Sequence, residues 1–217
     1  MSIEENLKKV LHSLPDGVEL VAVSKTKSVE EILEAYQSGQ RIFGENRVQE
    51  MVDKWEVLPR DIQWHMIGHV QRNKVKYMAS FVNLIHGVDS LKLLQEINKQ
   101  AQKNGRKIKC LLQIHIAEES SKFGFDENEV GVLVNSGEIQ NLEHIEVCGL
   151  MGMATFTEDK EQIRKEFRGL KRLFDKLRGS LPGMQVLSMG MSGDYVTAIE
   201  EGSNLVRIGS SIFGARN

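Results

Sequence analysis

The chain has 217 residues, 41% hydrophobic and 27% charged, a balance that belongs to a packed globular protein and excludes extensive disorder, collagen-like sequence or a disulfide-dense scaffold. Its formal charge of −2 at pH 7 offers no global attraction to nucleic acid. No apolar run approaches the roughly 20 residues that cross a bilayer, and Met1-Ser2-Ile3-Glu4-Glu5 has no positive segment ahead of an apolar core, so a cytoplasmic protein with no membrane contact is expected.

In chain order, the pattern predicts an amphipathic helix over 3–13, a strand over 18–24, a helix over 29–38, a strand over 41–44, a helix over 47–57 and a strand over 62–67. A helix carrying Arg72, Lys74 and Lys76 follows Gln71, then a strand over 82–86, a helix over 91–103, a strand over 108–116 and a helix over 128–135. The chain closes with strands over 144–150, 184–188 and 204–208, separated by a helix over 161–178 and a short one over 194–201. Short β-type runs alternating with helical periods of three to four are the pattern of βαβ units on a parallel sheet. Gly39, Gly105 and Gly179 stand where helices should stop.

About eight strands at this length suit either an open doubly wound sheet or a closed barrel. No Gly-rich dinucleotide fingerprint follows the first strand, whereas polar and Gly-containing motifs follow nearly every strand. That placement favours an α/β fold of the (β/α)8 TIM-barrel type, whose C-terminal strand ends converge on one face. No repeat, low-complexity tract or linker divides the chain, so one domain over 1–217 is expected. The sequence stops soon after the eighth strand, and the helix over 3–13 is expected to cover the gap by burying Ile3, Leu7 and Val10.

Lys25 closes the first strand in Val21-Ala22-Val23-Ser24-Lys25-Thr26-Lys27, where alternation puts Val21, Val23 and Lys25 on one face. If that face is the barrel interior, the amine points into the pocket, where partial desolvation favours the neutral, carbonyl-attacking form. A solvated strand-end lysine is the competing reading. Ser188-Met189-Gly190-Met191-Ser192-Gly193-Asp194-Tyr195 after the seventh strand and Arg207-Ile208-Gly209-Ser210-Ser211 after the eighth look built for an anion. Glycines permit close backbone approach, Ser192 and Ser210 supply hydroxyls, and a helix start offers N–H groups at the recurrent phosphate position of such barrels. Either segment alone would make only a turn; together they point to a phosphate-bearing ligand. Arg207 shares its strand face with Leu205 and so points inward, either toward a ligand ring or into an ion pair.

Further strand ends carry Gly44-Glu45-Asn46, Trp64-His65-Met66-Ile67-Gly68-His69, Ser121-Lys122-Phe123-Gly124 and Gly149-Leu150-Met151-Gly152-Met153. There Asn46 could hydrogen-bond a ring substituent, and Met151 and Met153 could pack on a flat ring, although strand-end methionines are more often core. The histidines show no zinc spacing, so no metal site is expected. Cys110 and Cys148 lie far apart in strand-like runs and read as two reduced, buried thiols. Arg72, Lys74 and Lys76 read as a solvated helix face rather than a nucleic-acid surface.

Taken together, these motifs resemble the pyridoxal phosphate homeostasis protein family, single-domain barrels that bind pyridoxal 5′-phosphate (PLP) and are related to the barrel domain of alanine racemase. The resemblance runs through nearly the whole chain, in Ala22-Val23-Ser24-Lys25-Thr26-Lys27, Phe43-Gly44-Glu45-Asn46, Trp64-His65-Met66-Ile67-Gly68 with Gln71 and Asn73-Lys74, Gly149-Leu150-Met151, Ser188-Met189-Gly190-Met191-Ser192 and Val206-Arg207-Ile208-Gly209. It implies a fold-type III PLP barrel, a Schiff base on Lys25, phosphate held by Ser192, Gly209 and Ser210, and Arg207 at the pyridine nitrogen. It gives His69 no role. A guanidinium there would keep that nitrogen unprotonated and make the cofactor a weak electron sink. Related racemases and decarboxylases add a β-domain and a second acid/base residue, for which no length is expected here. The expectation is therefore a carrier or regulator in PLP homeostasis, without turnover, whose recipients include apo PLP-dependent enzymes. The alternatives are a small PLP-dependent racemase or decarboxylase, in which His65 or Tyr195 would supply the second proton, and an aldolase-like barrel using Lys25 without PLP.

Overall fold

Residues 2–118 and 123–214 are described by the computed structural model. The strands β1 (Glu19–Val23), β2 (Ile42–Glu45), β3 (Gln63–Met66), β4 (Leu84–Val88), β5 (Ile108–Ile114), β6 (Ile145–Gly152), β7 (Val186–Ser188) and β8 (Leu205–Ile208) are parallel and form a closed barrel in sequence order. Closure rests on β8 pairing with β1, in the register Glu19 with Leu205 through Ala22 with Ile208. The helices α1 (Ile3–Ser13), α2 (Val29–Gln37), α3 (Val48–Val57), α4 (Val75–Met78), α5 (Leu91–Lys103), α6 (Glu127–Asn135), α7 (Lys160–Arg178), α8 (Tyr195–Glu200) and α9 (Ser210–Phe213) connect or flank the strands.

Strand alternation divides the apolar residues into two cores. Leu20, Ala22, Phe43, Trp64 and Met66 join the layer between barrel and helices. Val21, Leu84, Leu111, Cys148, Met151 and Leu205 fill the barrel interior. Ser24 N–H donates to the Gly44 carbonyl (3.0 Å) and carries the β1–β2 ladder one residue past the end of β1, to the position before Lys25.

Local chemistry sets the helix limits. Ser2, Ser28 and Asp126 open α1, α2 and α6 with reciprocal capping boxes. Gly39 and Gly105 stop α2 and α5 in the left-handed region, at φ 102° and 61°. Gly179 caps α7 at φ −66°, in the ordinary helical region. Helix α1 buries Leu7 and Val10 and packs Ile3 against the outer core. It lies against α9, where Asn6 Nδ2 donates to the Ile212 carbonyl (3.1 Å), so the N-terminal helix covers the seam beside β8 as expected.

Several predicted bounds differ from the structure: β5 ends at Ile114, β6 runs on to Gly152 and β7 begins at Val186. The fourth strand begins at Leu84, because Val82 N–H closes a turn on the Met78 carbonyl and Asn83 Oδ1 accepts from Trp64 N–H (3.1 Å). The helix after Gln71 is split into a 3-10 turn, Arg72–Lys74, and the short α4. No described helix is long and apolar enough to cross a membrane.

Candidate functional site

Lys25 lies two residues past the C-terminal end of β1 and is half-buried. The turn that carries it is pinned from behind. Thr26 adopts φ 65°, a conformation costly for a β-branched residue, and its N–H donates to Glu50 Oε1 (2.5 Å). Lys54 of α3 is buried and its Nζ donates to the Ser24 carbonyl (2.8 Å), Glu45 Oε1 (2.8 Å) and Glu50 Oε1 (2.7 Å). Ser24 Oγ adds a bond to Glu45 Oε1 (2.6 Å), while Glu45 Oε2 has no partner among the described residues. Glu45 thus faces the helix layer, with Phe43, and does not line the barrel.

One ammonium serves two carboxylates in this cluster, and the proton balance follows. Burial, only partly offset by Lys54 and Ser24, pushes the Glu45 carboxyl up to about 7. Against its own burial, bonds from Lys54 and Thr26 hold the Glu50 carboxyl below the usual range.

Arg207 is buried in the interior, as its face predicts. Its Nη1 donates to the Ser188 carbonyl (2.9 Å) and Ser188 Oγ (2.5 Å), and Nη2 donates to the Gly152 carbonyl (3.0 Å). These acceptors are neutral, so the ion-pair alternative is not what holds the guanidinium. Burial pulls its pKa down to about 10, against the opposing Asp194 charge, so it stays charged at neutral pH. Three of the five guanidinium N–H groups are thereby committed. The Nε–H and one Nη2–H have no acceptor among the described residues. Ser188 Oγ also meets His86 Nδ1 (3.1 Å), and His86 Nε2 meets His65 Nδ1 (3.1 Å). Burial, with the Lys109 charge adding to it, pushes His65 down to about 3. His86 is driven well below the usual imidazole range by burial, by His65 and by Arg207.

The β7 and β8 loops are tied together at the mouth. Gly209 N–H donates to Ser192 Oγ (3.2 Å), and Arg207 N–H donates to the Gly190 carbonyl (3.0 Å). Gly190 takes φ 96°, and a Cβ there would lie 2.6 Å from the Ala198 Cβ, so only glycine lets the loop pass over α8. Gly209 precedes α9, and exposed Ser210 is its first residue. The N–H groups of Ser210 and Ser211 precede any intrahelical acceptor. Ser192 and Gly209 are thus joined to each other across the two loops, with Ser210 next along the chain. At α8, by contrast, Asp194 turns its Oδ1 back onto Met191 N–H (2.5 Å) and Tyr195 N–H is taken by the Met191 carbonyl (2.9 Å).

Other expected residues are distributed less evenly. Asn46 is half-buried directly after β2, its carbonyl so close to Gly68 that any side chain there would collide with it. Met151 is fully enclosed in the interior core, while Met153, nearer the mouth, is partly open. Tyr195 Oη is turned outward to Ser13 Oγ (3.1 Å), so neither it nor His65 stands free as an acid. Lys27 Nζ is held outside by Glu31 Oε1 (3.1 Å) and the Phe213 carbonyl (3.0 Å). Ser121 and Lys122 lie outside the described residues. Cys110 and Cys148 are free and buried, and burial raises both thiols, Cys148 to about 11. No group of three or more His, Cys, Asp or Glu among the described residues could hold a metal ion. A groove of about 990 Å³ runs outside the barrel along α6 and α7, lined by Glu127, Lys165, Arg172 and Lys176 among others, and contains none of the expected site residues.

Sequence reasoning missed His86, the Glu45–Lys54 pair and one exposed pair. His69 Nδ1 meets Asp89 Oδ2 (2.9 Å), and its ring stacks on Phe123 at 4.0 Å between centroids. The available signal was position, since His69 and Asp89 follow β3 and β4 on the barrel face where chemistry collects.

Comparison with known proteins bears on the family and the fold. The family model described as alanine racemase, N-terminal domain, matches residues 1–217. A "Pyridoxal phosphate homeostasis protein" of Vibrio alginolyticus is 39% identical, across 100% of this chain and 98% of that protein. The structure of PipY from Synechococcus elongatus PCC7942 without PLP superposes with a TM-score of 0.92 at 34% identity, covering 98% of this chain and 100% of that one. The same protein with PLP bound gives 0.88 at 33% identity, with the same coverage. Alanine racemase of Clostridium difficile 630, at 20% identity and a TM-score of 0.84, shares the fold over 99% of this chain and 57% of its own length.

Proposed function

The chain belongs to the alanine racemase N-terminal domain family, among the pyridoxal phosphate homeostasis proteins, and on that premise we propose that it binds PLP through Lys25 and serves PLP homeostasis as a carrier or regulator. The observation that carries this reading is the convergence of three unlike elements on one end of the barrel. They are half-buried Lys25 just past the end of β1, two uncommitted N–H groups of buried Arg207, and the neutral loop residues Ser192, Gly209 and Ser210, in which the Gly209 N–H rests on Ser192 Oγ. An aldehyde, a ring nitrogen and a phosphate on one small molecule match that set, so the residues fit the cofactor.

When bound, PLP supplies an aldehyde and an electron-withdrawing ring. The Lys25 amine would attach that aldehyde as a Schiff base with release of water. Arg207 can only donate and stays charged, so it would keep the ring nitrogen an acceptor and unprotonated. Ser192, Gly209 and Ser210 would hold the phosphate, and Asn46 and Met151 would line the pocket around the ring. Residues 1–217 act in this reading as one cofactor-binding barrel, in the cytoplasm, with apo PLP-dependent enzymes as recipients.

No turnover is proposed. Racemisation needs proton-transfer groups on both faces of the bound substrate, and Lys25 supplies one. His65 is enclosed and neutral, and Tyr195 is tied to Ser13. The His69–Asp89 pair is the observation favouring the alternative, a small PLP-dependent racemase or decarboxylase with His69 as the second group. Borohydride treatment of the PLP-loaded protein, followed by peptide mass mapping, should place the adduct on Lys25. An adduct on another lysine, or none, would remove the reading.

A further inference from the structure

The mid-height of the barrel holds a line of polar side chains where such interiors are ordinarily filled by branched apolar residues. His65 on β3, His86 on β4, Ser188 on β7 and Arg207 on β8 are all buried and linked in that order. Four polar groups in a water-poor interior are tolerated only when each is satisfied. That requirement fixes the direction of every bond between them.

Arg207 has no acceptor, so Ser188 Oγ accepts from Nη1 at 2.5 Å. The serine hydroxyl must then donate, and His86 Nδ1 at 3.1 Å is its remaining partner. His86 is neutral, so its proton sits on Nε2 and is donated to His65 Nδ1 at 3.1 Å. His65 is neutral too, so it carries its own proton on Nε2. The chain runs one way, from guanidinium to hydroxyl to imidazole to imidazole. Reversing one imidazole would leave the Ser188 proton without an acceptor.

We infer that His65, His86 and Ser188 form a positioning chain for Arg207, which locks Ser188 Oγ as an acceptor toward Nη1 and so fixes the guanidinium plane with its Nε–H and second Nη2–H open to a ligand. Ser188 presents both its carbonyl and its hydroxyl to Nη1, and the Gly152 carbonyl at the end of β6 holds Nη2. His86 has one task here, which is to take the hydroxyl proton away from Arg207. Only the last link, from Arg207 to a bound ring, rests on the cofactor reading above.

The test has a ligand-free part and a loaded part. In protein labelled with 15N-histidine and free of PLP, long-range proton–nitrogen spectra should show His65 and His86 neutral across the neutral pH range, both with the proton on Nε2. In the loaded protein, His86→Leu should weaken PLP and pyridoxal alike by about tenfold, the scale of one hydrogen bond to a charged group. It should also shift the ring-nitrogen resonance of 15N-labelled PLP. His86→Asn keeps an acceptor facing Ser188 and should recover most of both effects, which a merely space-filling role for His86 would not allow. If His86→Leu does not fold, Ser188→Ala carries the same comparison. A proton on His86 Nδ1, a doubly protonated His86, or wild-type affinity with an unmoved ring nitrogen in folded His86→Leu would overturn the inference. Failure of the wild type to bind PLP would instead overturn the cofactor reading, with the histidine spectra still deciding the direction of the chain.

Discussion

Glu45 offers a sharp test of the cluster beneath Lys25. Its carboxyl is fully buried and raised from 4.5 to about 7, while an unfolded chain restores it to the solvent value. Below the unfolded pKa both states are protonated and the site contributes nothing to the pH dependence. Between the two values the folded state holds a proton that the unfolded state has released, so stability falls as pH rises, and above about 7 the full penalty stands. A shift of this size corresponds to roughly 3 kcal/mol, or roughly 6–12 °C in Tm for a chain of this length. Glu45→Gln imitates the protonated form, keeps an oxygen facing Lys54 and Ser24, and does not titrate. The variant should therefore come within about 1 kcal/mol of the wild type near pH 5 and exceed it by up to about 3 kcal/mol near pH 8. Urea unfolding followed by tryptophan fluorescence at both pH values measures the difference, with other titrating groups cancelling between the two proteins. A gap that stays constant from pH 5 to pH 8, or that narrows, would refute the proton assignment.

Lys25→Ala should abolish the borohydride-trapped adduct, leave circular dichroism and Tm unchanged, and weaken PLP binding without eliminating it, since the phosphate donors lie on other strands; an adduct of undiminished stoichiometry would move the attachment elsewhere. Ser192→Ala combined with Ser210→Ala should cost PLP about 1–3 kcal/mol for each hydroxyl and cost pyridoxal little, by titration of both; equal losses would mean that the serines serve the fold. Leu7→Ala should destabilise the protein by about 2–5 kcal/mol in urea unfolding, because Leu7 is fully buried beneath α1; a negligible change would show that α1 does not seal the barrel. Loaded wild type should show little turnover of alanine, serine or lysine, and steady turnover that is lost in both Lys25→Ala and His69→Gln would establish the enzyme reading with His69 as the second group.

The sequence by itself determined everything that depends on residues near one another along the chain. Serine followed by glutamate three positions later opened α1 and α2, glycine stopped α2 and α5, and alternation along β1 put Val21 in the barrel interior. The clustering of Gly and Ser after β7 and β8 was likewise legible, because those loops need backbone freedom whatever surrounds them. What the tertiary structure decided is closure and everything closure brings together. Periodicity reports which face a residue occupies, but not which strand lies opposite, so an open sheet and a barrel read alike until β1 pairs with β8. His86 and Ser188 are 102 positions apart and share a hydrogen bond because their strands reach across one interior. Lys54 reads as an ordinary helix-surface lysine one turn after Glu50, and becomes a buried support for Lys25 through the packing of α3 on the ends of β1 and β2. Buried polar contacts of this kind leave no periodic trace, since each requires only one residue per element and the register that aligns them is set by the whole barrel.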